Sequence, residues 1–118
     1  MKETIDTIIQ WHKETFPDAT LDGQIRKFEE ETDEFKTATA ENKLEELADM
    51  VIVSAGIQRF NTPLGVQTRQ LCYLWTADYR YDMCELWIAI EIKMEKNRKR
   101  VWKKTAEGTF HHENGIED

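Results

Sequence analysis

The chain has 118 residues, 16 of them basic and 23 acidic, for a net charge of -7, which suits one domain and argues against nonspecific binding to a nucleic-acid backbone. Two cysteines, Cys72 and Cys84, are too few and too unpatterned for a disulfide scaffold or a zinc site and fit a reducing cytoplasm. No apolar run approaches the length of a spanning helix and the first ten residues are charged and mixed, so the expectation is a soluble cytoplasmic protein with no membrane partner.

In chain order, the first helical pattern runs from about Glu3 to Thr15, with Ile5, Ile8, Ile9 and His12 on one side and Trp11 nearby; Phe16-Pro17-Asp18 ends it. Trp11, His12 and Phe16 read first as packing residues. They are also the aromatic groups closest in sequence to an acidic helix, which makes Trp11 a candidate for stacking on a ligand. That helix, capped by Thr20 or Asp22, is predicted to run to about Ala40. Glu41-Asn42-Lys43 starts the next, which ends near Phe60, and so short a connection predicts an antiparallel hairpin.

Each arm of the hairpin carries an acidic pair at a spacing of three, Glu31 with Glu34 and Glu46 with Asp49, so each pair shares one side of its helix. A solvated acidic face is the common explanation for such clusters, and Lys27 can pair with Glu31 at i, i+4. The apolar pattern points elsewhere. Leu21, Ile25, Phe28 and Phe35 form a stripe that Glu31 and Glu34 border, whereas Glu29, Glu30 and Asp33 diverge from it. On the next helix Met50 to Val53, Ala55 and Ile57 are apolar on every side, the mark of a helix buried all round, and Glu46 and Asp49 lie on the stripe of Val53 and Ile57. Carboxylates on a buried stripe must be paired, protonated or bound to metal. Convergent carboxylates suit a hard divalent cation such as Mg²⁺.

Asn61 to Gly65 is turn chemistry, Val66 to Trp75 is read as helix, and Thr76 to Asp82 as loop. The last helix is predicted from about Asp82 to Lys103. Its stripe changes character without changing face: Leu86, Ala89 and Ile90 give way to Lys93, Asn97 and Arg100. Seven of the 16 basic residues fall between Lys93 and Lys104. Dipole capping explains Lys103 and Lys104. An inward Lys-Asn-Arg line instead offers donors to phosphate oxygens. Residues 1–104 are expected to be the helical domain, and 105–118, including His111 and His112, a flexible acidic tail. Walker and Rossmann glycine motifs are absent.

Glu30-Glu31-x-x-Glu34-Phe35, Glu46-Leu47-Ala48-Asp49 and Lys93-Met94-x-x-Asn97-Arg98-x-Arg100, in that order, resemble the MazG-like, all-α nucleoside triphosphate pyrophosphohydrolase superfamily over roughly residues 20–60 and 86–102. The resemblance implies an all-α helical bundle around the acidic hairpin and the long last helix, completed as a homodimer or homotetramer. It also implies Mg²⁺, with Mn²⁺ as a substitute, on Glu31, Glu34, Glu46 and Asp49, and a triphosphate held by Lys93, Asn97 and Arg100. The reaction implied splits a (d)NTP between its α- and β-phosphates, giving the monophosphate and pyrophosphate. Such hydrolysis needs charge neutralised on phosphate oxygens and an aligned water rather than a covalent nucleophile; Glu30, or one of the ligands Glu31 and Glu34 among them, would take the water's proton. Two rival expectations stand beside it. One is a helical dimerisation or adaptor module whose acids are surface decoration, and the other is a relative specialised for phosphoribosyl-ATP.

Overall fold

The computed structural model describes residues 2–100, 102–104 and 110–112. Helix α1 spans Ile5–Thr15, α2 Leu21–Thr37, α3 Lys43–Gln58, α4 Thr62–Asp78 and α5 Met83–Lys99, with a 3₁₀ turn at Ala40–Asn42 before α3. Two short strands follow, β1 at Trp102–Lys104 and β2 at Phe110–His112.

The starts are set by side-chain caps that satisfy amides a helix leaves unbonded. Thr4 and Thr7 form a reciprocal capping box on α1, and Asp82 and Glu85 form one on α5. The Thr20 hydroxyl accepts from the Gly23 amide at 3.0 Å, so Thr20, not Asp22, caps α2. On α4 the Asn61 carboxamide accepts from Leu64 N–H, with Pro63 in the first turn, where its missing N–H costs nothing.

The fold is all-α, with α3 at its centre. Helices α1, α2, α4 and α5 all pack against α3, and every residue from Met50 to Ile57 is buried, as an all-round apolar sequence requires. Ile8, Phe28, Phe35, Cys72, Leu86, Ile90 and Met94 supply the surrounding layer of the core. Gly56 lets α1 and α2 approach closely: a Cβ there would stand 2.6 Å from Gln24 Oε1 and 2.8 Å from His12 Nε2. His12 is buried, its ring Nδ1 lies 3.1 Å from Arg59 Nη1, and burial together with the Arg59 charge pushes its pKa down to about 4. It is therefore a neutral joint of the core.

The α2–α3 hairpin is closed by Lys43. Its buried ammonium donates to the carbonyls of Phe35 and Lys36, the end of α2, and lies over the rings of Phe35 and Tyr79. A cation on the unbonded carbonyls of a helix C-terminus is the favourable electrostatic arrangement. This contact fixes how far α3 slides along α2, and so which carboxylates face one another.

Several helix boundaries differ from the predicted ones: α4 starts at Thr62, inside the expected turn, rather than at Val66, because Asn61 caps it and Pro63 fits its first turn. The loop expected at Thr76–Asp82 is helical through Asp78. It then closes in a Schellman turn, with Arg80 N–H on Ala77 O, Tyr81 N–H on Thr76 O and Arg80 at φ 66°. The last helix stops at Lys99 rather than Lys103, because the chain turns extended at Arg100 (ψ 152°) and enters β1. Within the expected tail, Phe110–His112 pairs antiparallel with β1, His112 opposite Trp102 and His111 opposite Lys103. The rest of that segment lies outside the described residues. Among the described residues no helix is long and apolar enough to cross a membrane.

At the α3–α4 crossing, a Cβ on Gly65 would lie 2.5 Å from Gln58 Cα and 2.7 Å from its backbone N. Backbone cannot rotate away as a side chain can, so Gly65→Ala is expected to lower stability by about 1–3 kcal/mol in urea unfolding. A neutral result would mean that the helices separate freely there.

Candidate metal centre

Antiparallel packing of α2 on α3 brings Glu31 level with the first turns of α3. One carboxylate oxygen from each of Glu31, Glu46 and Asp49 lies within 4.8 Å of the others. Glu31 is only 6 % exposed. Its Oε1 is 3.3 Å from Lys27 Nζ, the i, i+4 pair expected from the sequence, yet its Oε2 is buried and meets no donor among the described residues. Oε2 of Glu46 is buried and unpartnered in the same way. Asp49 is held from α5: Lys93 Nζ sits 3.3 Å from its Oδ2 and 3.1 Å from Glu45 Oε1.

The electrostatics follow from this crowding. Burial, then the charge of Asp49, pushes the Glu31 carboxyl from 4.5 up to about 9, and Lys27 only partly offsets the rise. Burial and the charges of Asp49 and Glu34 lift Glu46 to about 7. Asp49 rises to about 6, its burial outweighing the pull of Lys93. Two lysines therefore do not neutralise the trio, and among the described residues two of its oxygens have no hydrogen-bond partner. A buried acceptor without a donor costs about 1–3 kcal/mol, a cost that a divalent cation bound by oxygen ligands would remove.

Of the expected ligands, then, Glu31, Glu46 and Asp49 converge. Glu34 does not join them: it is exposed at the rim, where its carboxylate lies beside that of Glu31 and raises its pKa. Glu30 is exposed and lies 3.8 Å from Lys27. On α5 both Lys93 and Asn97 are buried on the inward face. Arg100, the residue that ends the helix, donates from Nη1 to Asn97 Oδ1 at 3.0 Å. Measured along the axis at 1.5 Å per residue, Asn97 lies about 6 Å beyond Lys93. The polar line thus runs from the carboxylates to the end of α5.

Trp11 is 7 % exposed and packs edge-on against Phe16 and Trp102, which makes it a core residue in this conformation. Sequence reasoning missed Glu45, which shares Lys93 with Asp49; its only signal is its place in the Glu45-Glu46 doublet. The contact of Trp102 was not legible either: its indole N–H bonds Asn97 O at 3.2 Å.

Together these features define an all-α protein with a carboxylate centre between two antiparallel helices and a basic helix end beside it. No family model, curated protein or solved structure matches the chain.

Proposed function

We propose that the protein is a Mg²⁺-dependent nucleoside triphosphate pyrophosphohydrolase of MazG-like type, cleaving (d)NTP to (d)NMP and pyrophosphate in the cytoplasm. The observation that carries this reading is the trio Glu31, Glu46 and Asp49, with two oxygens orphaned in the core and the Lys93–Asn97–Arg100 line beside it. Glu31, Glu46 and Asp49 would hold the ion, which supplies Lewis-acid charge to phosphate oxygens and water when bound; Mn²⁺ takes the same ligands. Lys93, Asn97 and Arg100 orient the triphosphate, the two cations meeting its charge and the amide donating to an oxygen. Glu34, outside the trio but beside it, is the carboxylate best placed to take the water's proton.

A homo-oligomer is part of the proposal. Leu71 and Leu74 on α4, and Ile88 and Ile92 on α5, are large exposed apolar residues on faces turned away from α3, with Leu74 65 % and Ile88 61 % exposed. An adaptor module would also use such a face, but it gives no reason for the buried, unpartnered oxygens of Glu31 and Glu46.

Screening the protein against common NTPs, dNTPs and phosphoribosyl-ATP with Mg²⁺ or Mn²⁺, reading pyrophosphate release, tests the proposal. Release from none of them would favour the adaptor. Within an active enzyme, Lys93→Ala and Arg100→Ala are each expected to slow turnover about 30- to 1,000-fold, the loss of one charge-assisted contact worth about 2–4 kcal/mol. Lys103→Ala, on β1, is expected to change it little. Equal small effects at all three positions would return the cluster to dipole capping.

A further inference from the structure

The basic residues near the end of α5 are not alike. Arg98 is committed to the other end of the chain: its Nε–H and Nη2–H donate to the two carboxylate oxygens of Glu3 at 2.9 and 2.8 Å. Glu3 is buried just ahead of α1. The Thr7 hydroxyl donates to the same carboxylate at 2.7 Å, and the Glu3 amide donates to Glu91 Oε2 at 2.5 Å, one further attachment to α5. A bidentate fork of this kind fixes direction as well as distance.

A second grip lies on the far side of Asn97. Trp102 donates its indole N–H to Asn97 O, and its ring packs on Trp11 and Phe16, at and just beyond the end of α1. Asn97 and Arg100 are thus bracketed by two attachments to the α1 segment, which contributes no carboxylate to the metal centre. The placement of the helix end depends on it.

We propose that Glu3 and Arg98 form a positioning pair, which holds the Asn97–Arg100 end of α5 in the register that receives phosphate and does not itself touch substrate. This rests on the phosphate-binding reading above. Displacement of a binding group by a fraction of a helical turn costs affinity although every ligand is still present.

The test is calorimetric titration of the full chain with Mg²⁺ alone, then with tripolyphosphate in excess Mg²⁺. Glu3→Gln and Arg98→Lys are each expected to weaken tripolyphosphate binding about tenfold while Mg²⁺ affinity holds, the size expected of misplacement rather than loss of a ligand. The sign at Glu3 is decisive. Removing a negative charge strengthens anion binding by electrostatics alone, so weakening there can come only from lost positioning. The exchanged pair, Glu3→Arg with Arg98→Glu, is expected to recover most of the affinity. Unchanged or tighter binding by Glu3→Gln, with loss in Arg98→Lys, would make Arg98 a phosphate ligand and overturn the inference. A lowered melting temperature with unchanged affinity in both would reduce the pair to a structural tie. If Glu3→Gln does not fold, the exchanged pair carries the test, because it restores the tie while putting a carboxylate at position 98: recovered affinity supports positioning, and lost affinity makes Arg98 a phosphate ligand and overturns the inference. A parent that binds Mg²⁺ but no tripolyphosphate would overturn the phosphate reading, and this inference with it.

Discussion

Asp49→Asn is expected to eliminate pyrophosphohydrolase activity while raising the melting temperature of the metal-free protein. The substitution keeps the shape of the side chain and removes one charge. That charge is the largest electrostatic burden on both Glu31 and Glu46, and the Asp49 carboxyl itself is pushed up to about 6 from its ordinary 3.8 in spite of Lys93. The loss of the Lys93 contact works the other way, but Lys93 keeps Glu45 at 3.1 Å. Glu31 already holds its proton at neutral pH, so the gain comes from ending the burial of the Asp49 charge and its repulsion of Glu46, and that gain outweighs the lost contact. Mg²⁺ stabilises the parent by mass action, about 2.7 kcal/mol at a hundredfold excess over Kd, and the variant should show no such rise. If Asp49 served only as one half of a salt bridge, its loss would cost about 3–5 kcal/mol. Thermal melts in EDTA and in excess Mg²⁺ decide: a metal-free Asp49→Asn protein melting well below the parent contradicts the metal centre.

The metal-free parent should also lose stability as pH rises from about 7 to about 9, and excess Mg²⁺ should flatten the fall. Glu31 keeps its proton up to about 9 in the folded protein and releases it near 4.5 in the unfolded chain. The folded state thus binds more protons through that window, and stability falls with pH, by about 1.4 kcal/mol per unit for each such proton. Glu46, raised to about 7, adds to the lower part of the same slope. Below about 6.5 the sign is contested by His12, which stays neutral down to about 4 when folded, so that its contribution to stability rises with pH between those values. Glu3, whose carboxyl Arg98 holds below its ordinary 4.5, likewise contributes stability that is lost only in acid. Against His12 stand Glu31, Glu46 and, up to about 6, Asp49, so these groups keep the slope downward from about 4.5 to about 9 and place the maximum in EDTA below neutrality. Urea unfolding at pH 7, 8 and 9, with and without Mg²⁺, checks it, and a flat profile in EDTA would remove the strained carboxylates.

Much of the candidate site was legible because it rests on periodicity. The all-round apolar run from Met50 to Ile57 identified a central helix, and the i, i+3 spacing of Glu46 and Asp49 on its stripe put both toward α2. Glu34 exposes the limit of that reasoning: a spacing of three turns it about 60° from Glu31, enough to leave it at the rim while Glu31 is buried. Lys93 was correctly read as inward, but its partners Glu45 and Asp49 depend on how α5 crosses α3, which no single-helix pattern contains. Lys43 is similar. On the sequence it merely begins a helix, whereas in the fold it reaches back to cap α2. The end of α5 was missed because no glycine or proline marks it; an extended Arg100 and the β1–β2 pairing stop the helix instead.

Direct titration of Mn²⁺ into the metal-free protein, followed by the paramagnetic resonance of the free ion, tests the metal centre most immediately. The parent is expected to take up Mn²⁺, Mg²⁺ is expected to compete it off, and Glu31→Gln and Asp49→Asn are each expected to lose the uptake. A parent that leaves Mn²⁺ free, or variants that bind it as the parent does, would contradict the assignment of Glu31, Glu46 and Asp49 as its ligands.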